Sequence, residues 1–284
     1  MLCDLCPNRC GIDRSSKIGR CGVGEKPIIA KYYLHKFEEP CISGANGSGT
    51  VFFCGCSLRC VFCQNYELSR VKRGKEISVN ELADIMKTLE TSGATNVNLV
   101  TPTHYVHKIK EAVEIYKPNV PIVYNTHGYE TEYSLNTANS FSDVYLPDLK
   151  FYSPDVSERY TGKRDYFKIA SNAIKFMAKK PLVFDENGIM KSGTLVRHLV
   201  LPSNVSDSKN VIDFLSDFKD KIFLNVMSQY TPFGEIKNFP ELNRKVTKRE
   251  YDTVIDYAIG KGFSSMYWQK RTSASEMFIP SWDY

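Results

Sequence analysis

Short apolar runs alternate with amphipathic segments along most of the chain, beginning near residue 50. The apolar runs have the length and the β-branched and aromatic content of buried strands. These predicted strands cover residues 50–53, 97–100, 122–125, 143–146, 194–200, 222–227 and 265–268. Between them hydrophobic residues recur at helical spacing, and Ser78 with Glu81 forms a capping box at one helix start. Strands that alternate with helices in this way form βα units around a parallel sheet.

The number of these units limits the architecture. Predicted helices cover residues 78–93, 104–117, 130–139, 166–179, 210–218 and 247–259, the last with a capping box at Thr247 and Glu250, and Asn187-Gly188 marks a hairpin turn. Six or seven βα units are too few for a closed eight-stranded barrel. We therefore expect an α/β fold, a partial parallel barrel of (βα)6 type over residues 41–284, preceded by a small cysteine-rich segment at residues 1–40.

Composition and charge exclude several classes of protein. The formal net charge of +5 is mild and no dense basic stripe with interleaved aromatic residues appears, so we expect no nucleic-acid partner. The sequence has no run of 18 apolar residues and no signal-peptide pattern, so we expect neither a membrane span nor secretion. All nine cysteines precede residue 64, which is typical of metal ligands in a reducing cytoplasm rather than of a disulfide scaffold.

Four of the cysteines form a group that we call the four-cysteine site. Cys3, Cys6, Cys10 and Cys21 follow a C-x2-C-x3-C-x10-C pattern, and glycines between them let the backbone turn tightly. Four thiolates suit a closed tetrahedral zinc site or a fully ligated auxiliary iron–sulfur cluster, and a disulfide pair is a third interpretation. In the first two cases the site is structural or relays electrons.

Three further cysteines lie in residues 56–65, which we call the three-cysteine loop. Cys56, Cys60 and Cys63 follow a C-x3-C-x2-C pattern, with Phe62 just before the last of them. Three thiolates on a [4Fe–4S] cube leave one iron with an open coordination position, where a substrate can bind. Buried cysteines without a metal are the plainer alternative, and that is our expectation for Cys41 and Cys54.

The three-cysteine loop resembles the cluster loop of radical S-adenosylmethionine (radical SAM) enzymes. It is most similar to that of the pyruvate formate-lyase activating enzyme group. The resemblance implies that Cys56, Cys60 and Cys63 bind a [4Fe–4S] cluster whose fourth iron binds S-adenosylmethionine, with Phe62 beside the adenine and Asn65 near the cofactor. It also implies reductive cleavage of S-adenosylmethionine to a 5′-deoxyadenosyl radical that abstracts hydrogen.

Polar residues that follow the predicted strands are the remaining candidates, since ligands bind at the carboxyl ends of parallel strands. The family's Gly-Gly-Glu segment, which binds the methionyl amine, is absent, so Thr101, Thr103 or backbone carbonyls are expected to replace it. Strand periodicity places Asp148 and Lys150 on one face, and points Arg197 into the barrel with His198 in the core. The resemblance assigns cofactor contacts to Asn125, Gly128, Asp148, Lys150 and Arg197.

The resemblance also implies particular partners and substrates. It implies an external reductant such as flavodoxin or ferredoxin. One interpretation is an activase that makes a glycyl radical in a partner enzyme, although the accessory cysteines precede the loop here and usually follow it in that group. An alternative is a radical SAM enzyme that modifies a small metabolite, a cofactor precursor or a peptide. A non-catalytic iron–sulfur electron carrier is the third, but a carrier needs complete four-cysteine clusters and no cofactor cavity.

Overall fold

A computed structural model of the protein describes residues 2–268, so the last part of the predicted 41–284 domain lies outside the described residues. The strands are β1 (Ile28–His35), β2 (Ser48–Phe53), β3 (Lys75–Glu76), β4 (Val97–Val100), β5 (Ile122–Thr126), β6 (Val144–Pro147), β7 (Val183–Phe184), β8 (Met190–Leu199), β9 (Phe223–Met227) and β10 (Met266–Trp268). The helices are α1 (Pro40–Ser43), α2 (Tyr66–Ser69), α3 (Val79–Thr91), α4 (Val106–Ile115), α5 (Glu132–Asn139), α6 (Pro154–Thr161), α7 (Tyr166–Met177), α8 (Val205–Ser216) and α9 (Lys248–Gly260). None of these helices combines the length and the hydropathy that a membrane span requires.

One sheet organises the fold, with the strand order β10-β9-β8-β6-β5-β4-β2-β1-β3 and with β7 paired to β8. In this order every neighbouring pair from β2 to β10 is parallel, whereas β1 is antiparallel to β2 and to β3, and β7 is antiparallel to β8. Within residues 2–268 no ladder joins β10 to β3, so the barrel is open on one side. The predicted parallel α/β sheet is confirmed.

Strand β1 extends this sheet beyond the predicted boundary at residue 40. The pairing runs from Ile29 opposite Phe53 to His35 opposite Ser48. The apolar content of residues 28–34 made this segment visible in the sequence, but its pairing with β2 was not predicted. The part of the chain that precedes the sheet therefore ends near Ile28.

The helix ends follow local chemistry. Both predicted capping boxes form, at Ser78 with Glu81 and at Thr247 with Glu250. The helix predicted over residues 104–117 starts with a short 3-10 turn at Thr103–Tyr105 and ends at Ile115. Helix α6 was not predicted, although Ser153 caps its start and its end at Gly162 is left-handed.

The hydrophobic core includes part of the three-cysteine loop. Leu58 and Phe62 are at least 95% buried and pack in one cluster with side chains from α7 to β9. Phe62 meets Phe151, Tyr160 and Tyr230 edge-on, with ring centroids 6.0–6.2 Å apart. Since burial of a Leu or Phe side chain contributes about 1.5–3 kcal/mol, packing contributes strongly to the placement of the loop.

Candidate active site

The three-cysteine loop lies where the parallel strand β2 ends, at the edge of the sheet that binds ligands in such folds. Cys56, Cys60 and Cys63 all line one cavity of about 220 Å³. The predicted residues that line the same cavity are Phe62, Asn65, Thr101, Asn125, Asp148, Lys150 and Arg197. Residues that the chain separates by more than 130 positions therefore meet at one site.

Backbone contacts clamp the loop from both sides. The N–H of Val61 donates to the carbonyl of Tyr160 (3.0 Å), and its carbonyl accepts from the N–H of Glu235 (2.7 Å). Gly234 has φ +87° and leaves no space for a Cβ atom against the carbonyl of Val61. Only glycine fits there, because a Cβ would collide with backbone rather than with a movable side chain.

The three thiols differ in acidity. Burial raises the pKa of Cys63 to about 11, with the neighbouring Cys56 adding to the effect, and burial likewise raises the pKa of Cys60. Burial acts in the same direction on Cys56, but the charge and hydrogen bond of His127 outweigh it and lower the pKa of Cys56 to about 7. Cys56 therefore loses its proton most readily, and the thiolate is the form that binds iron.

His127 lies just after β5 and also lines the cavity. Its Nδ1 accepts from the N–H of Tyr129 at 3.1 Å, so we assign the proton to Nε2, which lies 2.9 Å from the Oγ of Ser57. Burial lowers the pKa of His127, but the charge of Cys56 overcomes this and raises it. Its neighbours Asn125 and Gly128 were predicted site residues, but His127 itself was not predicted.

A charged network crosses the cavity. The Nε of Arg197 donates to Oδ1 of Asp148 (2.9 Å), and one terminal nitrogen donates to Oδ1 of Asn125 (2.6 Å). Lys150 Nζ donates to the other oxygen of Asp148 at 2.7 Å. Burial opposes ionisation of Asp148, but the charges of Arg197 and Lys150 lower its pKa. The shared face predicted for Asp148 and Lys150 is confirmed.

Glu38 adds a second carboxylate to the charged network, and it was not among the predicted site residues. It lies between β1 and α1, lines the cavity, and accepts from Arg197 (3.4 Å) and from Asn98 Nδ2 (3.0 Å). Burial raises the pKa of Glu38, although the charge of Arg197 opposes the shift. No motif surrounds it, so the only sequence signal was a pair of acids after an apolar run.

The structure places Thr103 and Gly128 outside the cavity lining. The hydroxyl of Thr103 donates to the buried carboxylate of Glu130 at 2.6 Å. Gly128 has φ +78°, and a Cβ there would lie 2.8 Å from the carbonyl of Asp148. This glycine permits close approach of two strand ends to each other. His198 lies in the core as predicted and bonds to Leu149 O at 2.8 Å.

The four-cysteine site lies against the other side of the three-cysteine loop. The carbonyl of Cys21 accepts from the N–H of Cys56 at 3.0 Å, and Asn8 Nδ2 donates to the carbonyl of Ser57 at 2.8 Å. Cys6 and Cys21 are buried while Cys3 and Cys10 are half-buried, and burial raises the pKa of Cys6 to about 12. These four cysteines do not line the cavity.

The arrangement of the cysteine side chains differs from that of a site for a single metal ion. Within residues 2–268 no group of three or more His, Cys, Asp or Glu side chains is arranged to hold one metal ion. Thiolates that share one zinc ion lie within about 4 Å of each other, because Zn–S bonds are about 2.3 Å long. The cysteines of a cube bind separate irons.

Known proteins share parts of this chain's sequence and fold. The family model described as the Radical SAM superfamily matches residues 50–226, which run from β2 to β9. An uncharacterized protein of Methanocaldococcus jannaschii is 31% identical over 266 residues, covering 90% of this chain and 74% of that protein.

Two solved structures show likeness at low identity. Streptococcus suis SuiB bound to S-adenosylmethionine superposes with a TM-score of 0.53 at 16% identity, covering 78% of this chain and 52% of SuiB. This chain therefore spans about half the length of SuiB. A domain of pyruvate-formate lyase-activating enzyme from Bacteroides vulgatus gives a TM-score of 0.40 at 11% identity, covering 68% of this chain and 91% of that domain. Only the SuiB superposition is close enough to indicate a shared fold.

Proposed function

The chain belongs to the radical SAM superfamily, and from this premise we propose that it cleaves S-adenosylmethionine reductively and removes a hydrogen atom from a bound substrate. The family implies a [4Fe–4S] cluster and S-adenosylmethionine as cofactors. One observation carries the proposal: the three cysteines of the loop line the same cavity as the ion network of Asp148, Lys150 and Arg197.

The residues present fit a three-ligand cluster. Cys56, Cys60 and Cys63 supply three thiols to the cavity, and no other cysteine within the described residues lines it. Cys54, for example, donates its thiol to the carbonyl of Arg73 at 3.0 Å. Held by these three cysteines, a cluster would supply the one electron that reductive cleavage of S-adenosylmethionine needs. The open iron position that this requires matches the missing fourth cysteine.

The chain's own charged residues have distinct roles in this proposal. The three guanidinium nitrogens of Arg197 contact Asp148, Asn125 and Glu38, so Arg197 holds these groups in position. Lys150 lines the cavity, and in the described part of the chain its Nζ donates only to Asp148. An ammonium has three donors, so Lys150 is the better candidate for the methionyl carboxylate.

The surroundings favour a polar substrate that places a functional group inside the barrel. Glu38 lines the cavity and is mostly buried, with a side-chain exposure of 10%. A small metabolite, a cofactor precursor or a peptide side chain can offer a partner to this carboxylate. The glycine of an activase substrate offers only backbone. We therefore place modification of a small molecule or peptide ahead of glycyl-radical activation, and SuiB has been crystallised with its precursor peptide SuiA.

The four-cysteine site has a supporting role in this proposal. Its position against the three-cysteine loop, through the contact of Cys21 with Cys56, suits an auxiliary cluster that passes electrons to the loop or a zinc ion that stiffens it, although within residues 2–268 the four thiols are not already arranged around one ion. The electron comes from a reductant such as flavodoxin or ferredoxin.

The decisive experiment is an anaerobic reconstitution with iron and sulfide, followed by addition of S-adenosylmethionine and dithionite. We expect 5′-deoxyadenosine and methionine to form in equal amounts, with about four irons per chain if zinc occupies the four-cysteine site and about eight if a cluster does. Absence of 5′-deoxyadenosine from a protein that carries its cluster and binds S-adenosylmethionine, with and without candidate substrates, would refute the proposal. A glycyl radical in a partner enzyme, detected by electron paramagnetic resonance, would instead support the activase.

A further inference from the structure

Four basic residues lie together at the surface of the protein, next to both groups of cysteines. This basic patch consists of Arg20, Arg59, Arg70 and Lys72, of which Arg70 is half-buried and the other three are exposed. The guanidinium of Arg59 donates to the carbonyl of Arg20 (3.4 Å), and that of Arg70 donates to the carbonyl of Arg59 (3.1 Å). Segments that are distant in the chain therefore meet in the basic patch.

Contacts with Tyr66 and Gly22 bring Lys72 into the basic patch. Lys72 Nζ lies 4.6 Å from the centre of the Tyr66 ring, and the guanidinium carbon of Arg70 lies 5.1 Å from the same ring centre. The side chain of Val71 lies 3.0 Å from the position that a Cβ atom of Gly22 would occupy, next to the four-cysteine site. Because an aromatic face attracts cations, Tyr66 holds the charged ends of Arg70 and Lys72 close to each other.

Most of the positive charge in the basic patch has no acidic partner. Glu235 lies 3.3 Å from Arg70, and in the described part of the chain it is the only acid that forms an ion pair with any of the four residues. Arg20, Arg59 and Lys72 therefore leave three positive charges uncompensated on one surface. A concentration of charge of one sign attracts a partner of opposite charge and speeds its approach.

Two residues of the basic patch contact cysteine sulfur atoms through their backbones. The N–H of Arg59 donates to Sγ of Cys56 at 3.4 Å, and the N–H of Arg20 donates to Sγ of Cys10 at 3.3 Å. Both cysteines are half-buried. A single residue thus connects the exposed charges with one sulfur of each cysteine group, so a partner bound at the basic patch lies close to both groups.

The basic patch is separate from the cavity. None of its four residues lines the cavity of the three-cysteine loop, whereas Gln64 and Asn65 on the same loop do. A cofactor and a substrate in the cavity therefore leave the basic patch free. A partner at the basic patch can act while the cavity is filled, which is what reductive cleavage requires of an electron donor.

We propose that the basic patch is the docking surface for an acidic electron-carrier protein. The inference rests on the proposed function, because it says where that reaction receives its electron. One electron leaves the reduced carrier, which is thereby oxidised by one electron, and enters the protein at a cysteine group, while no atom is transferred. Arginine and tyrosine are enriched in protein–protein interfaces. The uncompensated positive charge selects a carrier whose docking face is rich in Asp and Glu.

The test measures the binding of an acidic flavodoxin to the reconstituted protein by calorimetry, without reductant or S-adenosylmethionine. The double variant Arg20→Gln/Lys72→Gln removes two charges of the basic patch, and Lys87→Gln/Lys117→Gln, which removes two exposed charges elsewhere, is the matched control. We expect the first double variant to bind flavodoxin about tenfold more weakly at low salt, and the control to match the wild type. The difference should shrink at high salt, because ions screen surface charges.

Equal binding of flavodoxin by the two double variants would overturn the inference, and so would a wild type that does not bind flavodoxin at low salt. An RNA oligonucleotide that binds the basic patch more tightly than flavodoxin does would also overturn it. Cleavage driven by dithionite is assayed separately. A protein that binds flavodoxin at the basic patch but forms no 5′-deoxyadenosine with dithionite refutes the proposed function alone. A protein that forms 5′-deoxyadenosine but binds flavodoxin independently of the basic patch refutes only the docking surface.

Discussion

The two groups of cysteines in this protein lie side by side but face different surroundings. The three-cysteine loop opens into a cavity with charged walls, and its Cys56 thiol has a pKa of about 7. The four-cysteine site lies outside that cavity, and the pKa of its Cys6 thiol is about 12 because of burial. One group therefore opens to a ligand that enters the cavity, whereas the other does not.

Whether a metal site can bind a substrate depends both on the number of its protein ligands and on its access to a cavity. A site with three ligands has an open position, which is useful only where a cavity delivers a substrate to it. A fourth protein ligand fills the open coordination position, so a four-ligand site can keep its structural or electron-transfer role without a cavity. The backbone hydrogen bond from Cys56 to Cys21 joins the two sites mechanically without making them chemically equivalent.

The largest expected effect comes from Cys60→Ala, which removes one of the three cavity thiols. We expect the variant to lose the catalytic cluster and to form no 5′-deoxyadenosine, because two thiolates cannot hold three irons. Iron analysis and product assays measure both quantities. Cys54→Ser is the matched control, since Cys54 is buried outside the cavity and a serine hydroxyl can still donate to Arg73. S-adenosylmethionine cleavage retained by Cys60→Ala would refute the cluster assignment.

Cys21→Ser should have the next largest effect, and one of a different kind. We expect loss of the metal or cluster at the four-cysteine site, with a destabilisation of about 2 kcal/mol or about 4–8 °C in the unfolding midpoint. Cleavage of S-adenosylmethionine by dithionite-reduced protein should be reduced but not abolished. Zinc and iron analysis with thermal unfolding test this. If Cys21→Ser abolishes cleavage as fully as Cys60→Ala, the proposed division between the two groups is wrong.

Asn8→Ala probes the contact between the two groups. The Asn8 side chain donates to Ser57 O and accepts from Lys163 Nζ, so its loss should lower the free energy of unfolding by about 1 kcal/mol. Urea denaturation measures the change, and Asn80→Ala, at an exposed site on α3, is the control. A change no larger than that of Asn80→Ala would show that the two groups are held together by other contacts.

The smallest effect on stability is expected from Arg59→Gln. Arg59 is exposed on the three-cysteine loop, and its guanidinium donates to Arg20 O at 3.4 Å, so the change should stay within about 0.5 kcal/mol. Reduction by an acidic flavodoxin at low salt should slow about two- to fivefold because a positive charge on the loop is lost, while reduction by dithionite should not change. Lys87→Gln on α3 is the control. If Arg59→Gln and Lys87→Gln slow reduction by flavodoxin equally, the electron donor does not dock at Arg59.

Sequence reasoning succeeded where the signal was local. The spacing of Cys56, Cys60 and Cys63 spans eight residues, so it was visible without any knowledge of the fold. The capping box at Ser78 and the buried position of His198 followed in the same way from neighbours and from strand periodicity. The family match over residues 50–226 rests on the same region of the chain.

Sequence reasoning failed where a contact depends on how the whole sheet folds. Glu39 and Asn225 are separated by 186 positions, and no pattern near either residue indicates that they meet. Thr103 was expected in the cavity, but it does not line it, and its hydroxyl donates instead to the buried carboxylate of Glu130 at 2.6 Å. The acid–base environment of Cys56 also escaped prediction, because His127 approaches it from another strand.

The clamp on the three-cysteine loop has a consequence for how the protein is made in the cell. The ribosome releases the loop early, but the residues that grip Val61, at Tyr160 and at Gly234 with Glu235, are synthesised much later. During that interval the cysteines are exposed on an unfinished chain, and domains fold as units during synthesis. The three-cysteine loop can therefore reach its clamped position only after β9 and the turn that follows it have been synthesised.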